Sequence, residues 1–318
     1  MFSLFGKCSY TFLRMKTYFS KIQCPDCGAS RDPKETVCKG CKREFPREDG
    51  GLFAGHLPIS WIREMLFFLI LGPLGLRLLA LVVQLIFGMV ITAQGLATNA
   101  EELQNVMMSA PWLGPTEYTI YGIAFAGAAL LFIGKFPDLF KSFKGWKPYV
   151  FGLAGFAIII GIEFFYNLII GIILRSVGIY NGANANQSTL YVLIDFNPFL
   201  AILFFGLIGP FVEECAYRVG LYGLSSRLGK VLGFIITAII FGLIHFDFGG
   251  AFNFSRDGYA AAIREWTNLP IYMFSGFAFA YLYDRWGFAC SYTSHALNNV
   301  FAIGQYLIMK NIGGAPNV

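Results

Sequence analysis

Apolar residues in this chain fall in long runs separated by short polar stretches, and several runs approach the ~20 residues that a bilayer-spanning helix requires. Seven stand out: Trp61 to about Val90, Tyr118 to Gly134, Pro148 to Leu174, Asn197 to Leu224, Val231 to Phe246, Thr267 to Tyr283 and Ala289 to Met309. Between them lie residues 93–117, which hold Glu101, Glu102 and Glu117 but no Lys or Arg, and KFPDLFKSFKGWK, which holds Lys135, Lys141, Lys144 and Lys147. Two further connections are polar and turn-rich, VGIYNGANANQSTLY and DFGGAFNFSRDGYAAAIREW. The pattern predicts an all-α polytopic transmembrane helical bundle over residues 61–318. Arg77 interrupts the first run and is expected to face neighbouring helices or an interface.

Composition agrees. The chain has 318 residues, is 56% hydrophobic and has a mean hydropathy of +0.58, above the roughly 45–50% apolar content of soluble domains. The net charge of +5 is uneven, since residues 1–63 hold 11 of the 24 Lys and Arg. Lysines concentrate on the cytoplasmic side of membrane proteins, so the basic N-terminal segment and the lysine loop are expected inside, with residues 93–117 outside and the N-terminus cytoplasmic. That basic segment is read as a surface beside anionic lipid. No aromatic-basic motif supports nucleic-acid binding.

Residues 22–47 form a separate unit. They contain CPDC and CKGC, ten residues apart, so that Cys24, Cys27, Cys38 and Cys41 can place four sulfurs in a tetrahedron around structural zinc. So short a segment, with few apolar residues, cannot fold on a core of its own, and metal binding supplies what the core does not. A redox CxxC pair is the less supported alternative, because no βαβ pattern surrounds it. Metal-holding thiolates imply a reducing compartment. The unit is similar to the short zinc-ribbon headpieces of many bacterial and archaeal membrane proteins, a resemblance that implies regulation or a protein partner. Residues 1–21 are read as an interfacial N-terminal segment rather than a cleavable signal peptide, since Lys7, Arg14, Lys16 and Lys21 leave no clean apolar stretch. Residues 48–60 are read as a polar linker.

The chemistry lies in the fourth, fifth and seventh runs. A charged side chain at mid-bilayer costs roughly 2.5–3.5 kcal/mol, so Glu213, Glu214 and Arg218 within six residues need pairing or function. Glu214 and Arg218 are four apart and share a helical face, which turns Glu213 about 100° away. Two of the three histidines, His245 and His295, fall inside expected spans; Asn299 follows His295 by four, and His56 lies in the linker. At 1.5 Å of rise per residue, Glu213, His245, His295 and Asn299 lie roughly 16, 21, 9 and 15 Å from the inner helix ends, so they can converge, and a site facing the inner leaflet is expected. A carboxylate beside an imidazole can bind and deprotonate water, and a second histidine with an amide can steady an oxyanion. A His/His/Glu metal site is the other arrangement this list allows, although no HExxH motif is present. Glu163 and Asn167, one turn apart, are expected to hydrogen-bond to neighbouring helices.

EECAYR (Glu213, Glu214, Arg218), FGLIH (Phe241 to His245) and HALNN (His295 to Asn299) resemble, in order and spacing, the EExxxR, FxxxH and HxxxN motifs of the CPBP family. Its members are CAAX proteases and bacteriocin-processing proteins, a group of intramembrane glutamate endopeptidases. The resemblance spans residues 148–309. It implies about eight helices around a cavity open to the cytosol and inner leaflet, a prokaryotic plasma-membrane location, and a membrane-associated peptide or protein tail as substrate. By that resemblance Glu213 and His245 activate water, His295 and Asn299 hold the oxyanion, Glu214, Arg218 and Phe241 support the site, and no catalytic metal is expected. Two other readings are a membrane binding or immunity protein that keeps the fold without turnover, and a proton relay through Glu163, Glu213 and His245.

Overall fold

The computed structural model describes residues 22–23, 29–31, 37–42, 56–179, 183–255 and 258–313. Residues 1–21, Cys24, Cys27 and residues 43–55, which include most of the expected linker, lie outside the described residues. In the headpiece β1 (Ile22–Gln23) pairs antiparallel with β2 (Ser30–Arg31), Ile22 opposite Arg31, on either side of CPDC. At CKGC the backbone turns tightly. Lys42 N–H donates to the Cys38 carbonyl at 2.9 Å, and Lys42 takes φ +61°, a left-handed conformation uncommon outside glycine.

The first expected span is in fact two helices, α1 (Trp61–Leu71) and α2 (Pro73–Ala93), broken at Gly72. Pro73 has no N–H to continue the α1 ladder, whereas it fits the first position of a new helix. Arg77 is exposed on α2 rather than turned toward neighbours. Four stretches read as loops carry helix, two of them longer than seven residues. One is α3 (Ala100–Met108), where the Asn99 side chain accepts from Glu102 N–H at 2.9 Å while the Glu102 carboxylate accepts from Thr98 N–H and Oγ1, both at 2.7 Å. Glu102 is fully exposed, and those Thr98 donors hold its carboxyl below the usual range.

Next come α4 (Ala110–Leu131) and α5 (Phe136–Ser142), bent by 108° from each other. Glu117, expected in an outer loop, therefore lies within α4. Helix α6 runs Lys147–Ser176. The other of these longer two, α7 (Ala185–Phe196), starts with a reciprocal Asn184–Gln187 capping box in the turn-rich loop. Helix α8 (Pro198–Ser225) carries two π-helical stretches, Ile202–Ile208 and Cys215–Tyr222. The remainder is α9 (Lys230–Ile244), α10 (Phe248–Ala251), α11 (Tyr259–Trp286) and α12 (Phe288–Asn311). The expected loop of about twenty residues shrinks because α11 begins eight residues before Thr267.

Three described helices, α2, α6 and α8, are long and apolar enough to cross a bilayer, or four if the bent pair α4 and α5 counts as one span. This falls below the seven or eight expected for physical reasons. Helix α9 is only 15 residues long. Helix α11 carries Arg264, Glu265, Asp284 and Arg285, and α12 carries His295, Asn298 and Asn299. In α8, 44% of the apolar window is buried, against 11% in α6, so α8 is the central helix and α6 turns most of its surface outward. Gly220 lets α1 approach α8 closely, since a Cβ there would stand 2.7 Å from the Phe68 backbone nitrogen.

The described end of the linker is packed as a strap. Leu57 and Ile59 are buried, and Leu57 N–H donates to the Tyr283 hydroxyl at 3.4 Å. The His56 ring lies 5.3 Å from Tyr222 and 5.0 Å from Tyr283, its Nε2 3.7 Å from Asp284 Oδ1. Asp284 also accepts from the Tyr222 hydroxyl at 3.0 Å and pairs with Lys230.

Candidate active site

Helix α8 presents Glu213 and Glu214 at the junction of an α-helical turn (Gly209–Glu214) and the second π-helical stretch, a helix irregularity found frequently at functional sites. The two carboxylates have different surroundings. Glu214 is fully buried; its Oε1 lies 2.9 Å from His295 Nδ1, and its Oε2 lies 3.3 Å from Arg218 Nε and within hydrogen-bond reach of Ser291 Oγ. Ser291 Oγ is also 2.9 Å from the Phe279 carbonyl, so one hydroxyl proton serves two acceptors. Glu213 is 13% exposed, and its buried Oε2 has no hydrogen-bond partner among the described residues. His295 Nε2 lies 3.7 Å from that oxygen.

The imidazoles are fixed in rotation and in tautomer. A carboxylate or carbonyl can only accept, so the neighbour of each Nδ1 dictates that this nitrogen carries a proton. For His295 the neighbour is Glu214. For His245 it is the Phe241 carbonyl, 2.9 Å away, which leaves His245 Nε2 as the lone-pair nitrogen of the neutral ring. His245 was expected inside a span and is instead the residue that ends α9. Asn299 donates from Nδ2 to the Phe205 carbonyl at 2.9 Å, in the first π-helical stretch, and this uses one of its two amide protons.

Aromatic rings close the site. The Arg218 guanidinium lies against both Phe241 and Phe279, its carbon 4.7 and 5.5 Å from their centroids. Phe241 also stands 4.9 Å from His245 and 5.8 Å from His295. Phe279 stacks on His295 at 4.4 Å and 18°, and Tyr272 stacks on His245 at 4.6 Å and 8°. Ser291, Phe279 and Tyr272 were not identified from sequence, because a serine or aromatic at helical spacing in an apolar helix reads as core packing. Glu163 accepts from Ser275 Oγ at 3.2 Å, whereas Asn167 is exposed.

The structure thus brings Glu213, Glu214, Arg218, Phe241, His245, His295 and Asn299 into one region from α8, α9 and α12. Cys24 and Cys27 lie outside the described residues. Among those described, no group of three or more His, Cys, Asp or Glu side chains is placed to hold a metal ion. Cys38 is buried and Cys41 exposed.

No curated protein and no solved structure matches the chain. Residues 195–301, about a third of the chain, match the family model described as type II CAAX prenyl endopeptidase Rce1-like. The segment that carries both carboxylates, Arg218, the two in-bundle histidines and Asn299 is therefore similar to a CAAX endopeptidase domain, set here in a helical membrane protein.

Proposed function

We propose that the protein is an intramembrane endopeptidase that hydrolyses a peptide bond in a membrane-associated peptide or protein C-terminal tail. The observation that carries this reading is Glu213 Oε2, a buried carboxylate oxygen with no hydrogen-bond partner among the described residues, beside a histidine that holds its proton on the far nitrogen. A buried acceptor left unsatisfied is costly, and a catalytic role is one explanation for such a group. Water held between Glu213 and Nε2 of His245 gives up a proton to Glu213 as its oxygen attacks the scissile carbonyl. The free amide proton of Asn299 faces the developing oxyanion. His295 adds a second donor from Nε2 when it is the imidazolium, since Glu214 keeps Nδ1 protonated throughout. The tetrahedral intermediate then collapses, and the carbonyl–nitrogen bond breaks as Glu213 returns the proton to the leaving amine.

No catalytic metal is needed for these steps. The headpiece is proposed to bind structural zinc through Cys24, Cys27, Cys38 and Cys41 and to meet a regulatory protein partner. The headpiece and N-terminus lie on the cytoplasmic side, and residues 93–117 on the other. The matched family's description makes prenylated C-terminal tails the first substrate class to try. The test compares membrane peptides from cells that express wild-type protein, Glu213→Gln or His245→Ala. Peptides that are cleaved only with wild type support the reading; equal cleavage by folded variants ends it.

A further inference from the structure

Helix α11 repeats a pattern every seven residues: Glu265, Tyr272 and Phe279 occupy one face. Phe279 packs on His295 and Tyr272 on His245. The surroundings of Tyr272 go further than ring packing. Its hydroxyl accepts from Asn184 Nδ2 at 3.3 Å, and Asn184 is buried and fixed by the capping box of α7. The next residue, Ala185, donates its N–H to Glu265 Oε1 at 3.0 Å, while Glu265 Oε2 accepts from Asp247 N–H at 3.3 Å. Asp247 follows His245 by two residues. Glu265 therefore ties the chain just beyond His245 to the start of α7, and Tyr272 ties the ring of His245 to the same place.

The histidine needs this bracing. His245 ends α9, so it lacks a following helical turn to limit its motion, and it is only half buried. The hydrogen bond of its Nδ1 to the Phe241 carbonyl fixes a nitrogen but by itself leaves the ring free to swing about that bond. A parallel ring 4.6 Å away removes that freedom. We propose that Tyr272 is a positioning residue for His245, holding Nε2 toward Glu213, with Asn184 and Glu265 as its braces. The inference rests on the reading of His245 as part of the water-activating pair. Misplacement of a reacting group by about 1 Å costs on the order of 10²-fold in rate.

The test has two readouts on the full-length protein in micelles. The first is ¹⁵N-histidine NMR, with the His245 signals identified by their absence in His245→Gln. Wild type and Tyr272→Phe, which keeps the ring, should each show one sharp Nδ1-protonated form; Tyr272→Leu should keep that tautomer but show ring signals broadened by conformational exchange. The second is kcat on a peptide whose cleavage depends on Glu213. Tyr272→Leu should lose about 10²-fold in kcat with KM little changed, and Tyr272→Phe should recover most of it. Sharp His245 signals in Tyr272→Leu, unaltered from wild type, overturn the proposal, as does wild-type kcat in Tyr272→Leu alongside an inactive His245→Ala. Full activity in His245→Ala would instead overturn the water-activation reading, and the NMR result would still decide whether Tyr272 orients the ring.

Discussion

Glu214 sets the tautomer of His295. With Oε1 2.9 Å from Nδ1, the carboxylate accepts the ring proton there, and Nε2 is left facing Glu213 Oε2 at 3.7 Å. Two glutamates adjacent in sequence thus meet the same imidazole from opposite sides, one as a fixed acceptor and the other as an oxygen with no bond of its own.

This asymmetry separates activity from stability at Glu213. Replacing it with Gln removes a buried charge that no hydrogen bond repays at Oε2, so the melting temperature should equal or exceed that of wild type. Cleavage should fall by about 10²–10⁴-fold, the usual contribution of a general base. Thermal unfolding in detergent and a peptide-cleavage assay on the same preparation check both halves.

At Arg218 the order reverses. The side chain is fully buried, paired with Glu214 and packed against two rings, while Nη1 and Nη2 have no hydrogen-bond partner among the described residues. Arg218→Ala leaves Glu214 charged and uncompensated and should destabilise the protein by about 3–5 kcal/mol. Arg218→Lys keeps the charge but not the planar group that stacks on Phe241 and Phe279, so it should recover only part of that loss. A thermal stability for Arg218→Lys equal to wild type would show that the rings contribute nothing.

Close approach of α1 to α8 depends on Gly220. A methyl group there meets the Phe68 backbone at 2.7 Å, which a side-chain rotation cannot relieve, and Gly220→Ala should destabilise by about 1–3 kcal/mol. Gly161→Ala, where nothing lies within 4 Å, is the matched control. It should be neutral or slightly stabilising, because alanine is the better helix former.

Much of this was legible in the sequence where the signal is local. Apolar length located α6 and α8 to within three residues, because a helix surrounded by lipid or packed at a bundle's centre must be apolar over its whole length. Motif spacing selected Glu213, Glu214, Arg218, His245, His295 and Asn299, which lie on only three helices. What stayed hidden depends on tertiary contact. Helices α3 and α7 are short and polar, although Asn99 and the Asn184–Gln187 pair are recognisable caps in hindsight. The break at Gly72 was signalled by the glycine-proline pair but overridden by the apolar run around it. The π-helical stretches leave no periodicity that separates them from α-helix. Tyr272 and Ser291 matter through what they touch, and nothing in their own neighbourhood says so.

The strap before α1 offers a further separation. His56 lies against Tyr222 and Tyr283 at the end of α8 opposite Pro198, and Asp284 links it to Lys230. His56→Ala should lower the melting temperature, since Asp284 loses a neighbour and two rings lose a partner. It should leave kcat near wild type, because His56 is on Tyr222, two helical turns from Glu214 along α8. A large fall in kcat without a change in melting would show that the strap controls the site directly.

The zinc proposed for the headpiece should be removable independently of the membrane domain. The ribbon reading rests on CPDC and CKGC ten residues apart, on the strand pairing that flanks the first motif, and on the tight Cys38–Lys42 turn in the second. A segment so short keeps its fold only while metal is bound. Cys38→Ser or Cys24→Ser should therefore abolish zinc content, measured by elemental analysis of purified protein, and expose the headpiece to protease. The described anchors of the strap are Leu57, Ile59 and His56, none of them a zinc ligand, so melting of residues 56–313 and cleavage by Glu213 should persist. Chelation of the wild type should give the same result. Loss of cleavage in step with loss of zinc would place the metal in the catalytic reaction instead.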